Sequence, residues 1–442
     1  MLCLFASTAL AAGGPGHWPS WRGPLQTGVA PTGDPPVTWG ETANVRWKAD
    51  IPGKGHSTPV IWGDRVFVTT AVPHGQRAPA RGHDRHGDHD NMRAIQRHRF
   101  VVMALDRRNG QHLWQTVVLD EQPHEGTHVT GSWASASVVT DGERVYAFFG
   151  SRGLFALSWS GKVLWRVDLG DMHTKHGHGE GSSPALYGDT LVVNWDHEGA
   201  SYTVGLDART GGDRWRVDRD EVTSWSTPIV IAPALVPPSA PARAPQVIIS
   251  ATGRVRGYDI TTGAELWACG GLSHNVVASP VYGQGLVHVM SSYETRAMLA
   301  IDLSRARGDL TATDAVVWRR SHDTPYVPSP VLTDGQLCFN RHLSGVMTCV
   351  NPRTGATLWG PKPLPGIRRM FASPIIAAGR IYAVGREGGG VVLKVGATFE
   401  VLARNRLDDA FSASPAVAED ALFLRGESHL YCLAAEGEAP GP

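Results

Sequence analysis

Residues 179–215, GEGSSPALYGDTLVVNWDHEGASYTVGLDARTGGDRW, constrain the fold more than any other stretch. Period-two alternation predicts four short strands there, at 183–186, 190–194, 202–206 and 213–217. The turns between them hold Gly188-Asp189, His197-Glu198-Gly199 and Asp207-Ala208-Arg209-Thr210-Gly211, the residue types that tight turns require. The same frame recurs along the chain: two small residues and Pro, an apolar pair of strands, then Leu-Asp-x-x-Thr-Gly-x-x-x-Trp. A four-stranded unit repeated at this period predicts propeller blades.

The small-pair-Pro signature marks innermost strands at Ser57-Thr58-Pro59, Ser182-Ser183-Pro184, Ser226-Thr227-Pro228, Ser279-Pro280, Ser329-Pro330, Ser373-Pro374 and Ser414-Pro415. Ser135-Ala136-Ser137 is a degenerate copy, which makes eight. Outermost strands carry Trp47, Trp114, Trp165, Trp215, Trp267, Trp318 and Trp359, and residues 399–405 fill the remaining slot without a Trp. An outer strand at 44–50 precedes the first inner one, while the last unit, 414–433, stops before its own. The expectation is therefore an all-β, eight-bladed β-propeller of four-stranded antiparallel blades, closed by the N-terminal strand. Closing so long a loop costs about 5 kcal/mol. Burying Val45, Trp47 and Ile51 at about 1.5–3 kcal/mol each offsets it, and closure removes exposed sheet edges. Around the propeller at 44–433 the chain divides into an apolar leader (1–12), an arm (13–43) whose tryptophans are expected on the outside of the fold, and a tail (434–442). Insertions interrupt the rhythm at 73–98, 232–245 and 304–314.

The repeat is clearest at 206–215, 258–267 and 350–359. There it resembles the tryptophan-docking repeat of pyrroloquinoline-quinone (PQQ)-type β-propellers, a family that includes quinoprotein alcohol dehydrogenases and the outer-membrane assembly lipoprotein propeller. The resemblance spans about residues 44–433 and implies the fold. It does not imply one activity, because one fold hosts many. Each Trp is read as a wedge between blades rather than a ligand platform.

Lys and Arg number 41 against 41 Asp and Glu, which gives no electrostatic case for nucleic acid or an anionic membrane as partner. Residues 1–12, MLCLFASTALAA, look like the apolar core and small-x-small cleavage site of a secretory signal. The basic stretch that usually precedes such a core is missing, which fits a start further upstream; a buried apolar N-terminus is the alternative. No other run is long enough to cross a bilayer. A periplasmic or secreted protein is expected. Of five cysteines, Cys338 and Cys349 flank a short turn symmetrically, as a cross-strand disulfide or as two buried thiols.

In an antiparallel blade, the loop leading into the innermost strand and the turn between strands two and three emerge on one face. Sorted by this rule, that face gathers His56, His124, His128, His178, Glu180, Trp225, Asn275 and Tyr326 from the leading loops. The turns add Trp195-Asp196-His197-Glu198, Arg254, Arg341-His342 and Arg386-Glu387. The opposite face receives mostly turn-forming Asp, Thr and Gly. This asymmetry predicts a polar, aromatic-lined site for a small-molecule ligand at one mouth of the axial channel. His128, His178, Glu180, His197 and Glu198 are the candidates for acid–base catalysis, and Trp225, Asn275 and Arg254 for ligand or cofactor contacts. His128, His178, Glu180, His197, Glu198 and Trp225 are expected to share one pocket. The bland alternative is that they only hydrogen-bond loop backbone.

His124-Glu125-Gly126-Thr127-His128 matches His-Glu-x-x-His, but that zinc-protease pattern works only on a helix, and here it falls in a loop between blades. Glu198, His124 and His128 stand as metal candidates in another geometry, for Ca²⁺ or a transition metal. The insertion 73–98 is read as a mobile flap over the same face, outside the core; its histidine-rich run 82–98, with His83, His86, His89 and His98, is either a zinc or other transition-metal site or a solvated loop. In quinoprotein dehydrogenases the resemblance implies a Glu and an Asn holding Ca²⁺, an Asp as base, a stacking aromatic and an adjacent cysteine pair. Glu198 and Trp225 fit that pattern. Thr252-Gly253 stands where the Asn should be, Asn275 where the Asp should be, and there is no adjacent cysteine pair or Cys-x-x-Cys-His haem site. The sequence therefore favours a ligand-binding or catalytic mouth over a PQQ-dependent oxidoreductase, with an interaction scaffold for another envelope protein as the third alternative.

Overall fold

The computed structural model describes residues 16–77, 90–232 and 244–435. The apolar leader, His83, His86, His89, most of the second insertion and nearly all of the tail lie outside the described residues. Eight four-stranded antiparallel units form the fold. The third blade shows the pattern, with strands Ala185–Tyr187, Thr190–Trp195, Tyr202–Asp207 and Asp213–Asp218, each within two residues of its sequence expectation. In the eighth blade, Ala416–Ala418, Ala421–Arg425 and His429–Ala434 are completed by Val45–Asp50 from the other end of the chain. That pairing sets Trp47 opposite Cys432 and Ala49 opposite Leu430, so the ring closes.

The outer tryptophans dock each blade on the next. The indole N–H of Trp47 donates to Arg107 O (2.9 Å), Trp114 to Trp159 O (3.0 Å) and Trp165 to Ala208 O (3.2 Å). Trp215 donates to Ile260 O (2.8 Å), Trp318 to Pro352 O (2.9 Å) and Trp359 to Gly396 O (3.1 Å). The receiving turn must be glycine where the ring lies flat on it. Gly263 has φ +76°, and a Cβ there would fall 2.7 Å from the Trp215 ring. Trp267 departs from the rule because the turn that should receive it is the lengthened one at 304–314. Its N–H turns to Gln246 Oε1 in its own blade (2.9 Å), and Leu303, Ala306 and Leu310 pack in its cluster. Gly308–Asp309 from that insertion adds a fifth, parallel strand to the fourth blade. Blade seven lacks an outer Trp, and Trp39 from the arm packs there with Tyr382 and Ala403.

The small residues of the inner signature form a belt. The backbone N–H of Thr58 donates to Ser137 Oγ (2.9 Å), Ser137 to Ser183 Oγ (2.9 Å), Ser183 to Thr227 Oγ1 (2.9 Å) and Thr227 to Ser279 Oγ (2.8 Å). The series continues from Ser279 to Ser329 (2.8 Å), Ser329 to Ser373 (2.9 Å) and Ser373 to Ser414 (3.0 Å). A short hydroxyl is what a buried, unpaired inner-edge N–H needs.

Trp39 of the N-terminal arm packs at an outer position as expected, but Trp18 and Trp21 correct the expectation that its tryptophans pack outside. The arm crosses the far end of the axial channel and plugs it. Trp18 is fully buried and exchanges backbone hydrogen bonds with Ile61 (2.8 and 2.9 Å). Gln26 clasps the Val230 backbone through both amide atoms (2.9 and 3.0 Å), and Ala30 N–H donates to Ile376 O (2.8 Å). Arg22, 3 % exposed, donates to Pro374 O (3.0 Å), Thr27 O (3.3 Å) and Pro330 O (2.7 Å). Burial lowers its pKa to about 9. The physical reason is a hole: the prolines that lead into the inner strands leave carbonyls facing the axis, which an arginine fork satisfies while the indoles cover the apolar rim. Cys338 and Cys349 face each other across paired strands and form a disulfide.

Candidate functional site

Plugged at one end, the channel becomes a cup of about 320 Å³ beneath the face that gathers the leading loops. Trp21 from the plug and the belt residues Ser137, Ser183, Thr227, Ser373 and Ser414 line it low down. Higher up stand His56, His128, His178, Glu180, Trp225 and Tyr326.

Glu180 is held by a cradle. Its carboxylate accepts the Ser151 N–H (2.8 Å) and the Ser151 hydroxyl. Position 150 must be glycine, because a Cβ there would overlap the Glu180 carboxylate. Burial raises the Glu180 pKa, and the Ser151 hydrogen bonds oppose that shift. The loops of His128 and His178 are tied together: His128 N–H donates to His178 O (3.1 Å), and the two rings meet edge to face with centroids 5.0 Å apart. His178 Nδ1 lies 2.9 Å from Asn91 Oδ1, which places the proton on Nδ1. His128 Nδ1 accepts the Thr130 N–H (3.1 Å), and burial lowers its pKa. Trp225 is pinned by its indole N–H on Gly179 O (2.7 Å). His56 is driven down to about 3, first by burial and then by Lys54, Arg386 and Arg425, so it is neutral.

Four of the six residues expected to share a pocket line this cup: His128, His178, Glu180 and Trp225. The other two lie outside its lining. His197 Nδ1 accepts the His173 N–H (3.1 Å) and Nε2 meets Ala200 O (3.2 Å), so its ring closes a turn. Glu198 accepts the Thr223 N–H (3.2 Å) and hydroxyl (2.7 Å). Arg254 pairs with Asp309 on the surface (2.8 Å). Asn275 is buried with its Oδ1 unpartnered. His124 Nε2 meets Met172 O (2.6 Å), and the His-Glu-x-x-His run is a loop ending in a two-residue strand paired with Asn91–Met92. Among the described residues, no three His, Cys, Asp or Glu side chains gather as metal ligands, so His124, His128 and Glu198 do not converge.

Sequence reasoning missed Trp21, because the arm has no periodicity to place it. It missed Asn91, because an insertion carries no frame. The signal for the first was Arg22, an arginine inside an apolar Trp-Pro-Gly segment that must find carbonyl partners somewhere.

The closed ring, the docking tryptophans and the axial cup define a PQQ-type eight-bladed propeller. The model of the family described as outer membrane protein assembly factor BamB matches residues 98–361, and the chain belongs to that family. Its structure is similar to BamB from Moraxella catarrhalis (TM-score 0.51, 16% identity, 85% of this chain and 100% of that one). It is also similar to quinohemoprotein alcohol dehydrogenase from Comamonas testosteroni (TM-score 0.60, 10% identity, 99% and 83%). The computationally designed Ika8 protein is a third similar structure (TM-score 0.59, 12% identity, 88% and 100%). At these identities the likeness shows the fold alone. No curated protein sequence matches the chain.

The cup does not fit PQQ with a bound Ca²⁺. PQQ is a planar tricarboxylate, yet among the described residues the lining holds no lysine, arginine or cysteine, and Glu198 is engaged outside it.

Proposed function

We propose that this chain is an exported small-molecule-binding propeller that takes its ligand into the axial cup and performs acid–base work there. One observation carries the proposal: His128, His178, Glu180 and Trp225, from the loops leading into three different blades, meet in a cavity whose floor is a separate segment anchored by buried Arg22. Glu180, its pKa raised by burial and its carboxylate held by Ser151, and His178, fixed against Asn91, are the pair placed for acid–base work. Trp225 offers a flat apolar surface beside them. The buried Cys338–Cys349 disulfide and the apolar leader support export.

The test is a thermal-shift screen of a metabolite library against the wild-type chain and Gly181→Phe, which fills the cup. Hits should stabilise the wild type and leave the filled variant unmoved. Equal shifts in both would place binding elsewhere and sink the proposal.

A protein-interaction scaffold is the second reading. It is favoured by the family match and by one exposed aliphatic on most outer strands: Leu113, Leu164, Leu266, Val317 and Leu402. Pull-down from envelope extract, with these five changed to Ser, tests it: capture that survives the changes counts against that girdle.

A further inference from the structure

A second cavity opens beside the cup, a surface groove of about 600 Å³ lined by Ser292, Glu294, Arg296, Arg341, His342 and Ser344. The turns between strands two and three of blades five and six build it, at 292–296 and 341–345. One of these turns is the wall between the two cavities. Leu343 lines the cup, whereas Arg341, His342 and Ser344 on either side of it line the groove. The rim is fixed by its own backbone: His342 N–H donates to Thr324 O (2.9 Å) and Ser344 N–H to Arg341 O (3.0 Å). Aromatic rings make a shelf across it. Tyr326, which lines the cup, stacks on His342 with centroids 5.0 Å apart and planes at 12°, and on Tyr293 with centroids 5.7 Å apart. A ligand seated in the cup can leave it over this flat edge.

Beyond the edge the surface is cationic. Arg296 and Arg341 are both exposed, so solvent and solutes reach their guanidiniums. Among the described residues Arg296 forms no ion pair, and Arg341 meets Asp323 at 3.9 Å, a carboxylate that Arg320 also approaches (3.7 Å). Glu294, the acid of the groove, lies 3.9 Å from His274. Burial lowers the His342 pKa, and the Arg296 charge acts in the same direction, so this ring is neutral. Two guanidiniums carried by different blades thus flank one accessible space. A carboxylate offers a single planar edge, which one fork fills. A phosphate monoester offers three oxygens set around phosphorus and nearly two negative charges, so two forks can hold it from two sides.

We propose that this groove is the seat of a phosphate monoester held by Arg296 and Arg341, and that the apolar body of the same ligand crosses the Tyr326–His342 shelf into the cup, against Leu343, Val327 and Phe371. This assignment rests on the cup being the ligand site.

The experiment is isothermal titration of the full chain with 4-phenylbutyl phosphate, 4-phenylbutanol and 5-phenylpentanoate. The phosphate should bind at least about tenfold more tightly than the alcohol, the discrimination that charged hydrogen bonds supply, and more tightly than the carboxylate. Added NaCl should weaken the phosphate and leave the alcohol unmoved. Arg296→Gln combined with Arg341→Gln should erase the preference without changing alcohol affinity, and because both side chains are exposed the double variant should fold like the wild type. Gly181→Phe, which fills the cup, should weaken phosphate and alcohol alike. Equal binding of phosphate and alcohol, or a preference that survives loss of both arginines, would overturn the groove and leave the cup standing as a ligand site. Carboxylate bound as tightly as phosphate would overturn the monoester, and phosphate binding untouched by Gly181→Phe would overturn the joint site. Binding of none of the three would overturn groove and cup together.

Discussion

Between blades one and eight, going up the chain, every inner strand hands its N–H to the hydroxyl of the next, through the same kind of residue at the same place. Between blade eight and blade one the outer docking is kept, with Trp47 on Arg107 O, but the inner link is not made. The difference has a cause in register. The pairing places Arg425 where blades one, three, four and six have Thr69, Asn194, Ser250 and Asn340. Seven joints are written by a repeat that only has to agree with its neighbour. The seam joins the first and last copies of the repeat, and there a buried arginine, Arg425, stands where other blades have a small polar residue.

The strongest break of this comparison removes one side of the seam altogether. Deleting residues through Asp50 takes away the plug, Trp47 and the strand that pairs with His429–Ala434, and leaves blade eight with a bare edge. Aggregated or unfolded protein is expected by size-exclusion chromatography; a monomer with an unchanged melting temperature would contradict closure by the N-terminus. Next comes a regular joint. Trp215→Ala should cost about 3–5 kcal/mol in urea unfolding, because the cavity opens between two packed blades and the Ile260 carbonyl loses its donor. A loss below about 1 kcal/mol would mean that the blades hold without the wedge.

Acid provides the third. His288 is buried at the joint of blades five and six, with Nε2 on Pro352 O (2.9 Å), and its pKa is lowered to about 4, chiefly by burial. The unfolded chain titrates near 6.5, so between about pH 6.5 and 4 it binds more protons than the folded one, and stability falls as pH falls. Lowering the pH to 4.5 should cost about 2–3 kcal/mol through this group. His288→Gln should flatten the slope of stability against pH in that window, and parallel slopes would assign the acid sensitivity elsewhere. The smallest effect sharpens the comparison most. Ser279→Ala leaves the Thr227 N–H unpaired and should cost about 1–2 kcal/mol, whereas Thr58→Val at the open link should cost under about 0.5 kcal/mol. Equal losses would show that the eighth link exists after all.

Much of the fold was legible because period-two alternation and turn residues are local signals. Blade three could be placed to within two residues, and the phase of the first and last units dictated closure. The site was legible only as far as the frame reached. His128, His178, Glu180 and Trp225 sit at fixed offsets before inner strands, so counting along the repeat carries them to the cup. His197 and Glu198 sit at an equally regular offset and yet fold back on the turn backbone, because a histidine beside Gly199 finds its hydrogen bonds locally.

The sequence by itself determined eight blades, the Trp wedges, the face that carries the polar loops and the strand that closes the ring. These follow from contacts between neighbours in the repeat, whose geometry each unit encodes. Only the tertiary structure decided that the arm plugs the channel, that the belt runs through seven serine and threonine hydroxyls, and that Arg425 stands buried with its fork open beside His56. Those features join residues from tens to hundreds of positions apart around an axis that exists only after the ring has closed, so no local pattern could announce them.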